Sequence, residues 1–113
     1  MKSKILALSK NEDFKNLLKK KKISNKYVSI FFGGLSNKKI ANLNISFVTK
    51  KKIGNAVKRN KIKRQLRNII NDAIKKISIN FNYSYLVIAK PTMLNNEYTN
   101  IKEALFLSFN KIK

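Results

Sequence analysis

One segment of the chain carries an apolar pattern of helical period over about twenty residues. Side chains that recur three or four positions apart fall on one side of an α-helix, and that side must be buried against another layer of structure. Between about Lys58 and Ile77 the pattern predicts a long amphipathic helix, and the rest of the fold must supply a surface that covers it. The apolar positions are Ile62, Leu66, Ile69, Ala73 and Ile77.

The segments around this helix predict a β-sheet. A nearly continuous apolar run from Tyr83 to Lys90 ends at Pro91, as expected of a strand that is buried on both faces in the middle of a sheet. The earlier segments Lys26 to Phe32 and Ile40 to Thr49 are rich in β-branched and aromatic residues, and they predict an antiparallel strand pair joined by a polar loop. The helix and the strand after it would complete a β-α-β unit.

A first helix is predicted from about Lys10 to Lys20. Ser9 and Glu12 have the spacing of a capping box, and Phe14, Leu17 and Leu18 form one apolar stripe. The charge run Lys19 to Lys22 ends the pattern and is interpreted as a solvated, flexible loop.

A last helix is predicted to begin near Asn95 or Asn96, either of which can cap it. The predicted order is helix, strand, strand, helix, strand, helix, with room for a short strand between Lys51 and Val57. Neither a repeat nor a linker is evident, so we expect one domain over residues 1–113. The last helix would pack on the sheet through Tyr98, Ile101, Leu105, Phe109 and Ile112.

The charge balance points to a polyanionic partner. Lys and Arg number 26 against 5 Asp and Glu, a net charge of +21, which a compact protein carries when a polyanion neutralises much of it. Nucleic acid is the leading candidate. A membrane surface is the competing one, but no apolar run reaches the roughly 18 residues of a spanning helix, and no signal peptide is evident, so we expect a cytoplasmic protein.

The chain contains neither Cys nor His. That composition excludes disulfides, thiolate nucleophiles, zinc sites built on these residues and histidine acid–base catalysis. The carboxylates are too scattered in sequence to suggest a metal site.

The arginines are clustered. Lysine outnumbers arginine 23 to 3, yet Arg59, Arg64 and Arg67 fall within nine consecutive residues. Since a guanidinium grips phosphate bidentately and can stack on a base, arginine here indicates a geometric demand beyond positive charge. An ordinary solvated helix of a basic protein is the alternative, and the clustering favours a binding face. At 3.6 residues per turn, the side opposite the apolar stripe carries Asn60, Lys63, Arg64, Arg67 and Asn71.

The seventeen residues from Lys51 to Arg67, KKIGNAVKRNKIKRQLR, closely resemble the signature segment of the bacterial ribonuclease P protein family. The residues Lys10 to Phe14 resemble the first helix of that family, and Tyr85 to Pro91 its last strand, so the resemblance covers nearly the whole chain.

The resemblance implies an α+β fold, a two-layer α/β sandwich like the second domain of ribosomal protein S5, with a left-handed β-α-β crossover. It also implies an accessory role to a catalytic RNA that removes the 5′ leader of precursor tRNA with Mg2+ bound mainly by RNA. The expected partners are the ribonuclease P RNA and precursor tRNA, with no membrane or protein partner and no catalytic or metal-binding residue in this chain.

The resemblance further implies particular RNA contacts. Lys61 stands where the family usually has arginine, which keeps the charge and loses the bidentate geometry. Leu18 stands where an aromatic residue is common, so stacking on the leader would be weaker. Phe14, Leu18 and Phe31 would line a cleft for the leader, although core packing is an alternative for Phe14, Phe31 and Tyr27, and the strand face is open. The implied RNA-binding residues are Lys51, Lys52, Asn55, Arg59, Asn60, Lys61, Lys63, Arg64 and Arg67.

Two other functions fit the composition. A ribosomal or general RNA-binding protein would have the same charge, element order and basic helix. A basic protein that coats membranes or compacts DNA would not need clustered arginines.

Overall fold

The computed structural model describes residues 5–6, 11–34, 43–77, 79–80 and 83–112, with backbone alone at 5–6, 11–14 and 43. The helices are α1 (Asn11–Leu18), α2 (Ala56–Lys76) and α3 (Tyr98–Asn110). The strands are β1 (Ile5–Leu6), β2 (Lys21–Ser24), β3 (Val28–Gly33), β4 (Leu43–Val48) and β5 (Ser84–Ala89). Short 3-10 turns lie at Lys51–Ile53 and Pro91–Asn95.

Within the described residues the five strands form one mixed sheet in the order β1-β4-β5-β3-β2. The strand β5 lies at the centre, parallel to β4 and antiparallel to β3, which confirms the prediction of a central strand after the long helix. The predicted pairing of β3 with β4 is wrong, because β5 lies between them. A strand that is apolar on both faces is favoured at the centre of a sheet, where both faces are covered. There β5 pairs with β3 along one edge and with β4 along the other.

The two long helices bury one face of the sheet. The core on that face joins Ile62, Leu66 and Ile69 of α2 to Ile101 and Leu105 of α3 and to alternate residues of the strands. On the other face, Leu17 of α1 packs against Leu86. The parallel unit β4-α2-β5 and the helix-covered mixed sheet confirm the α+β fold class.

The residues before α2 differ from the prediction. No strand forms between Lys51 and Val57, where the chain makes a 3-10 turn and enters α2 two residues earlier than predicted. The helix begins early because Asn55 caps it, its side chain accepting a hydrogen bond from the Lys58 N–H.

The lysine run also differs from the prediction. The helix α1 ends at Leu18, and Lys21–Ser24 form the edge strand β2 instead of a flexible loop. Backbone pairing with β3 outweighs the polar side chains there, since an edge position leaves lysines in solvent.

The helix caps that the sequence suggested fall into two groups. Ser9 and the Glu12 side chain lie outside the described part of the chain. Neither Asn95 nor Asn96 caps α3, because both lie in the preceding turn, where the Asn96 amide bonds to the Thr92 carbonyl. Of the helices in the described residues, none combines the length and apolar content needed to cross a bilayer.

Candidate nucleic-acid interface

The exposed side of α2 carries the cluster of cations. Ile62, Leu66, Ile69, Ile70 and Ala73 are buried on one side, which confirms the predicted helix phase. The opposite side is open to solvent, so its donors are free to reach a ligand. Its exposed residues are Asn60, Lys61, Lys63, Arg64 and Arg67, while Asn71 is half-buried.

The turn before α2 adds two further cations. Ile53 is buried and anchors the turn, and the hydrogen bond from the Ile53 N–H to the Lys50 carbonyl (3.0 Å) closes it. Lys51 and Lys52 are exposed beside this anchor. The first turn of α2 contains no acidic residue, so the positive end of the helix dipole is uncompensated by side chains there.

Asn55 has a structural role within the predicted RNA-binding set. Its Oδ1 accepts a hydrogen bond from the Lys58 N–H at 3.0 Å, and its carbonyl accepts one from the Arg59 N–H at 3.0 Å. Asn55 is exposed, so the NH2 group of its side chain can still donate a hydrogen bond to a ligand. The resemblance indicated an RNA contact, whereas the structure adds that this residue starts the helix.

Gly54 permits a close approach instead of a special backbone conformation. A Cβ at this position would lie 3.0 Å from Cδ of Lys58, so the lysine stem packs over the glycine. The backbone of Gly54 is extended, with φ 160° and ψ −169°, a conformation that does not require glycine. The close approach of the Lys58 stem therefore accounts for a glycine at this position.

Arg59 differs from the other two arginines. It is half-buried, and its Nε is shielded from solvent without a hydrogen-bond partner in the described part of the chain. Burial of this atom restrains the guanidinium relative to the helix, whereas Arg64 and Arg67 are exposed.

The face of the sheet covered by α1 is only partly closed. We call it the α1 face. Phe31 lies there, half-buried beside Leu17 and Leu86, with half-buried Val48 and Ile88 in the same cluster.

The side chain of Lys22 lies over the ring of Phe31. The Lys22 Nζ lies 5.6 Å from the centroid of the Phe31 ring, a cation–π distance that sequence reasoning missed because Lys22 falls in a predicted loop. A pairing of edge lysine and strand aromatic follows only from the β2–β3 register.

The three residues predicted to line a leader cleft have different positions. Leu18 is 48% exposed at the end of α1, next to Leu17 of the α1 face. Phe31 lies on the α1 face, half-buried. The Phe14 side chain is outside the described set. Tyr27 is buried in the core, where its hydroxyl donates to Asn96 Oδ1 at 3.4 Å, so core packing is the better interpretation for Tyr27.

The α1 face and the start of α2 are continuous along β4. Val48 pairs with Ile88, which in turn pairs with Ser29, and this row of residues ends the face. The chain then passes from Val48 to the exposed Lys51 and Lys52 of the turn. The exposed cations before α2 therefore follow directly on this edge of the α1 face.

The carboxylates whose side chains the structure describes are not gathered at this surface. Asp72 accepts a hydrogen bond from the Lys102 Nζ at 2.6 Å, and this bond lowers the pKa of Asp72 below its ordinary 3.8 and raises the pKa of Lys102. In the described residues no group of three acidic side chains could hold a metal ion.

A mixed sheet whose long helix presents cations on its exposed side defines an α+β protein of the nucleic-acid-binding class. The family model for Ribonuclease P matches residues 3–113, so the chain belongs to the ribonuclease P protein family.

Relatives agree with that membership. The ribonuclease P protein component of Mesoplasma florum is 34% identical over 98 residues, which cover 87% of this chain and 86% of the relative. The component from Carboxydothermus hydrogenoformans is 32% identical over 112 residues, which cover 94% and 90%.

Solved structures support the same fold. The RNase P protein of Thermotoga maritima superposes with a TM-score of 0.80 at 23% identity, covering 96% of this chain and 98% of that chain. The Staphylococcus aureus RNase P protein gives a TM-score of 0.79 at 25% identity, covering 95% and 94%.

The function follows from the family. The chain is a protein component of the ribonucleoprotein endoribonuclease that processes the 5′ end of tRNA, which implies partnership with the ribonuclease P RNA. This result confirms the resemblance to the ribonuclease P protein family and decides against the ribosomal or general RNA-binding alternative.

Proposed function

We propose that the exposed side of α2 and the turn before it bind the ribonuclease P RNA, and that the α1 face receives the leader of precursor tRNA. We call the first region the α2 basic surface. The separation of α2 into a buried apolar side and an exposed cationic side carries the proposal. The α2 basic surface consists of Lys51, Lys52, Asn55, Arg59, Asn60, Lys61, Lys63, Arg64 and Arg67.

Electrostatics supply most of the affinity in this proposal. Each cation that neutralises a phosphate releases a counterion, and the binding constant then falls with salt at a log–log slope of about 0.7 to 0.9 per contact. The exposed Arg64 and Arg67 can grip phosphates bidentately, while Lys61 and Lys63 act as point charges. Asn60 adds a neutral donor and acceptor between them.

The leader would lie along the α1 face. Phe31 offers part of its ring to solvent and Lys22 lies over it, so a base and a phosphate can be accommodated side by side. Leu18 can pack against a base but cannot stack as a flat ring. The continuity of this face with Lys51 and Lys52 gives the leader a path to the α2 basic surface.

The reaction itself would belong to RNA and metal. The described carboxylates do not gather into a site for Mg2+, so we assign the metal ions mainly to the RNA. The protein then binds, orients and neutralises charge, acting in the cytoplasm as one domain over residues 1–113.

Leader preference tests the proposal. The holoenzyme assembled with the cognate RNA should bind precursor tRNA more tightly than mature tRNA, and equal affinities for the two would refute the leader role.

Two matched phenylalanines locate the contact. Phe31→Leu should reduce the leader preference by about 1 kcal/mol or more, since base–aromatic stacking is lost. Phe106→Leu is the control, because Phe106 is also half-buried and has the Lys102 Nζ 5.7 Å from its ring, but lies on α3. Equal effects of the two variants would remove Phe31 from the leader path.

A further inference from the structure

A basic hollow lies at the end of the sheet opposite the start of α2. Its volume is about 510 Å³ and three consecutive lysines, Lys19, Lys20 and Lys21, contribute to its wall. Phe32 and Tyr83 also line it. Neither the α2 basic surface nor the proposed leader residues contribute to this hollow.

The path of the chain explains why the lysines gather there. The helix α1 ends at Leu18, and hydrogen bonds from the Lys19 N–H to the Asn16 carbonyl (3.2 Å) and from the Lys20 N–H to the Leu17 carbonyl (3.0 Å) close the turn. Lys21 then starts β2 opposite Phe32. Three cations are therefore brought to the end of one aromatic strand.

The aromatic wall is anchored in the core. The ring of Tyr83 lies 5.6 Å from that of Phe32 and 6.4 Å from that of Tyr85, centroid to centroid. Tyr85 is buried against Phe109 at 5.5 Å, and its hydroxyl donates to the Asn80 carbonyl at 2.7 Å. Tyr83 itself is half-buried and lines the hollow, so part of this residue is accessible beside rings that are held in the core.

Two glycines shape the opening. A Cβ on Gly33 would lie 2.6 Å from Cδ of Lys20, so the lysine stem rests on the glycine and is held at the wall. A Cβ on Gly34 would meet no atom of the described residues within 4 Å. Among the described residues, none that lines the hollow is acidic.

The hollow is remote from the start of α2. Gly33 pairs with Ser84 at the beginning of β5, and β5 runs parallel to β4, whose far end at Val48 leads to α2. The four steps between the Ser84 and Ile88 pairs, at about 3.3 Å each, separate the two ends by roughly 13 Å.

We infer that this hollow is a second RNA site, which binds an unpaired nucleotide with its phosphate against the lysines and its base on the ring of Tyr83. Proteins that bind single-stranded nucleic acid without sequence preference combine positive charges for the backbone with aromatic rings on which bases stack. Three cations without a neighbouring carboxylate in the wall favour an anion, and the ring selects a nucleotide over inorganic phosphate. The inference rests on the proposed function, because it takes RNA as the ligand.

A charge-matched pair of variants tests the lysines. In the full chain, K19Q/K20Q/K21Q removes three charges and keeps most of each stem, while K75Q/K76Q/K111Q removes three exposed charges elsewhere. Binding of an unstructured oligouridylate should weaken about tenfold in the first variant, with its salt slope lowered by about 2, and much less in the second. Equal losses in the two variants would overturn the site, since they would indicate general electrostatics.

The ring is tested separately at one position. Tyr83→Phe keeps the ring, whereas Tyr83→Leu removes it, so only the leucine variant should lose about tenfold in oligouridylate affinity. Circular dichroism melts establish that both variants are folded. Folded variants with the same affinity would overturn the stacking role and with it the nucleotide site.

The source of the nucleotide follows from the same lysine variant in the holoenzyme. A loss seen only with a long-leader precursor assigns the nucleotide to the leader, and a loss in binding the isolated ribonuclease P RNA assigns it to that RNA. Either result supports the site. The proposed function fails separately, if the wild-type holoenzyme shows no leader preference.

Discussion

Asn55 stands where the fold and the α2 basic surface meet, and two substitutions separate its roles. Its Oδ1 caps α2 by accepting a hydrogen bond from the Lys58 N–H at 3.0 Å. Asn55→Ala removes the cap, whereas Asn55→Asp keeps a capping oxygen and adds a negative charge next to the proposed RNA.

The two variants should differ in stability in a defined direction. Loss of an N-cap side chain costs about 1 kcal/mol, which lowers the melting temperature of a domain of this size by about 4 °C. The aspartate should melt at or above the wild type, because its charge gains about 0.3 to 1 kcal/mol from the positive end of a helix whose first turn has no other acid.

The ranking of the two Asn55 variants by RNA affinity should be the reverse of their ranking by melting temperature. Asn55→Asp places an anion near Lys51, Lys52 and Arg59, and should weaken binding to the cognate RNA by about 1 to 2 kcal/mol through repulsion of phosphate. Asn55→Ala should bind more tightly than the aspartate variant despite its lower stability.

Thermal melts followed by circular dichroism and filter binding at fixed salt provide the two measurements. An alanine variant that melts with the wild type would refute the cap. An aspartate variant that binds like the wild type would place Asn55 away from the RNA.

Three further predictions concern α2. Arg64→Ala and Arg67→Ala should each weaken RNA binding by about 1 to 3 kcal/mol in filter assays without changing the melt, and an unfolded variant would contradict this. Leu66→Asp should unfold the domain, because truncating a buried leucine alone costs about 2 to 5 kcal/mol of a total near 5 to 15 and the buried charge adds more; a folded variant by circular dichroism would contradict the helix phase. Because Lys102 lowers the pKa of Asp72 below 3.8, their ion pair contributes stability above the unfolded-state pKa and loses it as pH falls through the lower folded-state pKa. Asp72→Asn should therefore flatten the acid side of a melting-temperature profile below about pH 4, and an unchanged slope would contradict the pairing.

Local patterns in the sequence predict the helices well. The burial of Ile62, Leu66, Ile69 and Ala73 follows from spacing alone, because helical periodicity is a property of neighbouring residues. The same spacing places the arginines on the exposed side, so the chemistry of the α2 basic surface can be predicted from the order of residues along the helix.

Strand neighbours depend on distant residues and are harder to predict. Consecutive strands are often adjacent, so a pairing of β3 with β4 is the reasonable expectation. A strand more than thirty residues further along, β5, takes the central place because its residues are apolar on both faces. The strand β2 has only Ile23 as an apolar residue, so its formation depends on backbone pairing with β3, which no local pattern reveals.

The sites that sequence reasoning missed arise from this same register. Lys22 lies over Phe31, and Lys21 lies opposite Phe32, only because β2 pairs with β3 in the observed alignment. A run of four lysines in a loop would give no shaped surface. Along an edge strand, successive side chains alternate between the two faces, so the same run contributes to two different sites.

The charge that selects RNA also opposes the folding of the free chain. Five carboxylates cannot neutralise 26 cations, so self-repulsion persists until a polyanion is bound. RNA that binds the folded protein and not the unfolded chain raises its stability by RT ln(1 + [RNA]/Kd), which is about 2.7 kcal/mol at a hundredfold excess over Kd. The apolar side of α2 therefore has to stabilise the fold against the repulsion from the cationic side of the same helix, which carries all three arginines.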